Sequence, residues 1–249
     1  MSTPTGDRRL FVFFEAGKTR YAIEAVGVLE VARPPADADT LHGHLALKDL
    51  SVLLGGEPEV RPATALVLDT SPTLAVRVRA VEGVFDAAAD RALALPRRMI
   101  PLAAPALRGG LLHEGRLSFE VDTDGVARGL PRSTRRPERT TREPQEACLV
   151  FETGTERLAV PLSRVRQVVP AGAAFNPAPG TGAFLGAVVH GASLCPVFSV
   201  SDTTAPESLI VLAEAGGEVI GLSARRADGV QQPATLSAIP VLDLERMFS

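Results

Sequence analysis

The chain has 249 residues, 45% apolar and 22% charged, with a net charge of −3. That composition suits a globular protein of one large domain or two of about 120 residues. Ten Phe, one Tyr and no Trp give few aromatic platforms for stacking on single-stranded nucleic acid, and no long segment has the basic footprint of a DNA-binding domain, so nucleic acid is excluded as a partner. No run reaches the ~18 uninterrupted apolar residues of a membrane span, and the opening MSTPTGDRRL lacks a signal-peptide core. The two cysteines, Cys148 and Cys195, form no CxxC pair. A reducing, cytoplasmic location with no membrane insertion is expected.

Leu10–Phe14 is a continuous run of β-formers and predicts a strand. Gly17 lies in a short polar turn, and Tyr21–Ile23 begins a second strand, which makes a hairpin. Ala25, Val28 and Val31 then recur every three residues, a spacing that predicts one or two helical turns burying that face. His42-Gly43-His44 follows, and two imidazoles there, with His113 brought near by folding, would still fall short of most metal sites. A surface loop is the plainer expectation. Ala65–Leu68 and Leu74–Val78 are apolar runs around a Pro-containing turn, and Gly83-Val84 follows. Gly109-Gly110 and, later, Gly216-Gly217 read as turns, because no lysine-bearing helix follows that would make a phosphate cradle.

Residues 128–146 hold six Arg, three Glu and three Pro, with almost no apolar content. Such a segment cannot bury enough surface to offset its ordering entropy, so it reads as a mobile, solvated linker. Its Arg135 and Arg136 also leave open an electrostatic contact with an acidic face.

Beyond the linker the sequence repeats. Phe14–Val31 and Phe151–Val168 share seven of eighteen positions at a constant offset of 137, among them Phe14/Phe151, Glu15/Glu152, Gly17/Gly154 and Arg20/Arg157. Cys148–Phe151, Gly154 and Leu158–Val160 repeat the opening hairpin, and Leu162, Val165 and Val168 repeat the three-residue spacing. Leu209–Leu212, Val219–Leu222 and Gly229-Val230 repeat the later runs. The chain therefore reads as two copies of one unit, 1–127 and 147–249, each of net charge −3 around a linker of +3. Many short strands with frequent turns predict small barrels or sandwiches.

The order of segments resembles the CheW-like domain of bacterial chemotaxis systems, twice over. LFVFFEAGKTRYAIEAVGVLEV and CLVFETGTERLAVPLSRVRQVV carry its opening hairpin, and LALKDLSVLLGG (Leu45–Gly56) its strand ending in Asp-Leu before a short helix. GAVVHGASLCPVFSV (Gly186–Val200) carries its central hairpin, and IPVLDLERMF (Ile239–Phe248) its closing strand and terminal turn. The resemblance implies an all-β fold with a few short helices, in which each of two tandem CheW-like units is a pair of small SH3-like β-barrels. It also implies a non-catalytic scaffold or adaptor that binds the regulatory domain of a CheA-type histidine kinase and the tips of chemoreceptors.

Two departures keep a second reading open. In the first copy Thr40-Leu41-His42-Gly43 runs almost directly into the strand at Leu45, so the central hairpin is expected to be missing there. In the second the tip reads Val189-His190-Gly191 and lacks the arginine of the family's Asn-Leu-Arg-Gly-like tip, whose fork of donors an imidazole cannot reproduce. The alternative is a repurposed CheW fold serving another motility protein or a small-GTPase regulatory complex, outside the receptor array. Leu185, Val188, Val189 and His190 are the candidate protein-binding residues, with core packing and a plain turn histidine as the competing readings. Cys148 and Cys195 read as buried, inert thiols, with a disulfide between them left open, and Asp49 and Asp243 as helix caps. There is no G-x-S-x-G elbow, P-loop, G-x-G-x-x-G or H-E-x-x-H motif. No enzyme activity, catalytic residue, cofactor or metal is therefore expected.

Overall fold

The computed structural model describes residues 9–35, 37–59, 64–87, 92–100, 106–128, 138–154, 156–172, 175–178, 183–201, 206–236 and 238–248. The first half runs β1 (Arg9–Ala16), β2 (Thr19–Glu24), β3 (Val28–Ala32), β4 (Thr40–Leu41), β5 (Leu45–Asp49), α1 (Leu50–Leu53), β6 (Thr64–Leu68), β7 (Leu74–Val78), β8 (Ala80–Ala87), β9 (Ala92–Ala94), β10 (Leu107–His113), β11 (Arg116–Val121) and α2 (Thr123–Arg128). The second runs β12 (Thr141–Arg142), β13 (Cys148–Thr153), β14 (Glu156–Pro161), β15 (Val165–Pro170), β16 (Phe175–Pro177), β17 (Phe184–His190), β18 (Ser193–Phe198), β19 (Leu209–Ala215), β20 (Glu218–Ala224), β21 (Arg226–Gln231), β22 (Val241–Leu242) and α3 (Leu244–Met247). By compactness, Met1–Ser133 with Asn176–Gly180 and Val189–Leu194 form one unit, and Thr134–Phe175, Thr181–Val188 and Cys195–Ser249 the other.

Each half is a pair of small sheets, and the plan is the same in both. The first half has orders β8-β1-β2-β11-β10-β9 and β3-β6-β7-β5-β4. The second has β21-β13-β14-β22-β12 and β15-β19-β20-β18-β17-β16. The expected all-β fold of two tandem units, with three short helices among the described residues, is what the chain adopts. Phe11–Phe14 is apolar without alternation because both faces of β1 are covered there, with Phe11, Phe13 and Phe14 at 1% exposure or less and Val12 at 3%, while Leu10 at the start of the run is exposed. At the edge, β8 alternates exposed and covered positions instead. Each sheet has its own apolar cluster: Phe11, Phe13 and Leu111, then Leu41, Val67 and Ala75, in the first half. In the second half these are Cys148, Val150 and Val241, then Val188, Val197 and Ile210.

Four expectations change. The segments with apolar residues every third position are not buried helices. Each is a three-residue 3₁₀ turn, Ala25–Gly27 or Leu162–Arg164, leading into an extended strand, β3 or β15. Gly27 and the β-branched valines disfavour a longer helix, and on the edge strand β3 Leu29, Glu30 and Val31 are all exposed. The central hairpin of the first copy is present, not missing. It is cut to β4 and β5, with Thr40 opposite Ala46 and Leu41 opposite Leu45, because His42 (φ 52°) and Gly43 (φ 75°) reverse the chain in very few residues. Gly109-Gly110 lies within β10, not in a turn, where β9 crosses so closely that a Cβ on Gly109 would sit 2.3 Å from the Leu93 carbonyl oxygen. Finally, the stretch read as linker contributes β12, paired antiparallel with β22 through Thr141↔Leu242 and Arg142↔Val241, while its residues 129–137 lie outside the described ones.

Candidate functional site

The candidate docking residues divide by depth. Leu185 (4% exposed) and Val188 (3%) are in the β17 core with Cys195, Val197, Ile210 and Leu212, so they hold the strand and do not face a partner. Val189 and His190 are half-buried at its far end, where Gly191 (φ 60°) turns the chain into β18. In both copies the turn of this hairpin is built on a His-Gly pair, His42-Gly43 and His190-Gly191.

A surface the sequence did not single out lies on the first copy. Val26 (84% exposed), Leu29 (58%) and Val31 (50%) form an apolar strip on the 3₁₀ turn and on β3, the outer strand of its sheet. An edge strand keeps a row of unused backbone donors and acceptors beside its side chains. The three-residue spacing of Ala25, Val28 and Val31 pointed to a buried face and passed over Val26 and Leu29. In the second copy the same three places are Ser163, Arg166 and Val168, and Arg166 pairs with Glu214.

The polar candidates take structural roles. His42 Nε2 lies 2.9 Å from Glu30 Oε2, and His44 Nδ1 lies 2.9 Å from the His42 carbonyl. The His113 ring instead sits 5.0 Å from that of Phe13 and 4.8 Å from that of Phe85. Among the described residues no three His, Cys, Asp or Glu side chains gather as a metal site. Cys148 and Cys195 are both thiols and belong to separate core clusters. Burial, helped by the nearby Glu146 carboxylate, pushes the Cys148 thiol above its ordinary pKa, which keeps it protonated and inert. Asp49 accepts from the Val52 and Glu59 N–H groups and Asp243 from the Arg246 N–H, as caps do. Asp122 does the same for α2, taking the Gly125 N–H at 2.8 Å and the Arg108 Nε–H at 2.7 Å. Burial alone would raise the Asp122 carboxyl, but Arg108 and the Gly125 N–H hold it below its ordinary pKa.

Two further devices are repeated in both copies. In each, the edge strand β8 or β21 bulges against β1 or β13, so that Glu82 or Asp228 has no partner across the ladder. A bulge re-aims the extra side chain. Here it aims the carboxylate at the arginine of the second strand. Arg20 Nη2 donates to Glu82 Oε2 at 2.5 Å, and Arg157 Nη2 lies 2.9 Å from Asp228 Oδ2. Gly83 (φ 155°) and Gly229 (φ 102°) close the bulges in a conformation that favours glycine. In the first copy the pair is nearly enclosed: the Arg20 side chain is 7% exposed, and its guanidinium lies 5.1 Å from the Phe13 ring centre. In the second copy Arg157 is 47% exposed, and Arg226 adds a second contact to Asp228 at 2.9 Å. The other device ties the sheets. Glu59, leading into β6, accepts the Gly17 N–H at 2.8 Å, and Glu207, leading into β19, accepts the Gly154 N–H at 2.7 Å.

Residues 147–246 match the family model described as the CheW-like domain. The scaffolding protein TtCheW from Thermoanaerobacter tengcongensis is similar to this chain at 12% identity, with a TM-score of 0.39, over 48% of this chain and 92% of that one. No curated protein matches the sequence. Among the described residues no helix is long and apolar enough to cross a membrane. Residues 147–246 therefore match a CheW-like domain, and the first half is built on a similar sheet plan.

Proposed function

We propose that the chain is a non-catalytic adaptor in bacterial chemosensory signalling that couples chemoreceptors to the regulatory domain of a CheA-type histidine kinase. It works in the cytoplasm and is recruited to membrane-proximal or polar signalling clusters. Residues 1–127 and 147–249 are its two binding units, and 128–146 connects them. The observation that carries this reading is the CheW-like domain at 147–246, supported by the repetition of its sheet plan in the first half. Two linked weak sites gain effective concentration, so a tandem chain holds a partner array beyond the strength of either site. Val189 and His190 at the β17–β18 turn, on the strand that Leu185 and Val188 anchor, are the contacts assigned to the second copy. A pull-down of the full chain against a kinase regulatory domain and a receptor cytoplasmic tip tests the proposal. Capture of one or both is expected, and capture of neither overturns it.

The His-Gly pair at both hairpin turns favours a second reading, a repurposed adaptor for another motility protein or a small-GTPase regulatory complex. A fluorescent fusion in a strain without chemoreceptors separates the two. Foci that persist there support the repurposed role, and foci that disperse support the array.

A further inference from the structure

The second copy completes its first sheet in an unusual way. In the first copy the place beside β11 is filled by β10, a seven-residue strand that pairs with β11 from Leu107 to His113 and carries β9 on its far side. Among the described residues the matching place beside β22 holds only β12, whose two residues are both exposed. β22 is itself two residues long and meets β14 at one position, Val241 opposite Ala159. Besides the two-residue ladder, β12 is held by the Asp243 N–H donating to the Thr140 carbonyl at 2.8 Å, and by Arg139 Nη1 at 2.6 Å from Glu156. Beside it runs an open groove of about 490 Å³, lined by Thr141, Pro144, Leu236, Ile239 and Val241 among others. The groove leaves this flank of β12 without packed neighbours.

We infer that the outer edge of β22 is a strand-acceptor site for an extended, arginine-bearing peptide segment of a partner, and that residues 138–142 are its resident, displaceable occupant. The backbone ladder supplies affinity for any extended chain, and Glu156 selects a basic residue two positions before the Thr141 register point. Because the resident strand belongs to the same chain, it competes at an effective concentration of about millimolar. A partner gains the edge only when it also holds the chain elsewhere. The inference does not depend on which signalling partners the adaptor serves.

The test uses the full chain and a fluorescent peptide of residues 138–144, ERTTREP. In the parent chain the edge is occupied, and micromolar peptide should not bind. The opened variant Thr140→Gly, Thr141→Ser, Arg142→Gly should fold and bind the peptide at least about tenfold more tightly than the parent, and Arg139→Ala in the peptide should weaken that binding several-fold. Equal binding to parent and variant overturns the inference. So does no binding to a folded variant, or dimerisation of the variant in place of peptide binding, which would assign the edge to a second copy. An unfolded variant also overturns it, since β12 would then be integral to the fold. In the unmodified chain, hydrogen exchange gives an independent reading. The Asp243 amide should exchange at least about tenfold faster than those of Val150 and Phe151 in β13, and equal protection would sink the displaceable strand.

Discussion

The two copies share most of their skeleton and differ where the first sheet ends and at one face of the second. Both have the same sheet plan, the same bulge with its acid aimed at the β2 or β14 arginine, and the same glutamate on the first hairpin turn. Yet among the described residues the first copy exposes seven large apolar side chains and the second two, Leu162 and Val230. The contrast is sharpest on the 3₁₀ turn and the strand that opens the second sheet. There Val26 and Leu29 face solvent in one copy, while Ser163 and the Arg166–Glu214 pair occupy the same places in the other. The features held in common are those the fold uses to set register and join sheets. The features that differ lie outside the core, where composition is free to follow a partner. The first copy thus offers an apolar surface and the second a salt-bridged one, which suits two copies with unlike tasks.

Three substitutions sharpen this comparison. The largest effect is expected at the shared ion pair, whose surroundings differ. Arg20→Ala leaves Glu82 only the looser pair with Arg116 at 3.5 Å and empties an enclosed site, and should cost about 2 kcal/mol of stability, whereas Arg157→Ala, on a largely exposed side chain, should cost less than about 1 kcal/mol. Urea titrations of the two variants measure the gap, and equal costs would mean that the enclosure of Arg20 contributes nothing. Leu29→Arg then writes the second copy's residue into the first. It should change stability by no more than about 0.5 kcal/mol while lowering recovery of a pulled-down partner about tenfold. Unchanged recovery would detach the apolar strip from binding.

The smallest effect concerns acid stability. Asp122 sits below its ordinary pKa, so its contribution is present above the unfolded value of about 4 and is lost as pH falls through the lowered one. Asp122→Asn should therefore cost about 0.5–1 kcal/mol at pH 7, and the difference from the parent should close in strong acid. Glu120 works the other way. Burial raises its pKa, so its carboxyl opposes folding as pH rises, and the parent's own acid profile cannot isolate Asp122. A gap of the same size at pH 7 and in strong acid would remove Asp122 from the account.

Strands were legible where burial makes them monotonous. Leu10–Phe14 and Leu209–Leu212 announce themselves because central strands are covered on both faces. The edge segment Val28–Ala32 was misread, because three apolar residues at helical spacing also fit a strand whose outer face is itself apolar. The repeat was visible only while loop lengths agreed. Arg20 and Arg157 are offset by 137, but Glu82 and Asp228 by 146 and Glu59 and Glu207 by 148, so a gapless comparison never set the pairs together. The one usable signal was Gly83-Val84 against Gly229-Val230, each preceded by an acid. The short β12 left no sequence trace, since two residues paired by backbone alone need no particular side chains.

The bond from Glu59 to Gly17, and from Glu207 to Gly154, reaches from the loop before one sheet to the first turn of the other. A copy split between its sheets would leave a glutamate with no amide to hold and a glycine N–H with no acceptor. The smallest stretch of gene that could be copied without loose ends is therefore one that encodes both sheets. The chain carries two such stretches, each whole.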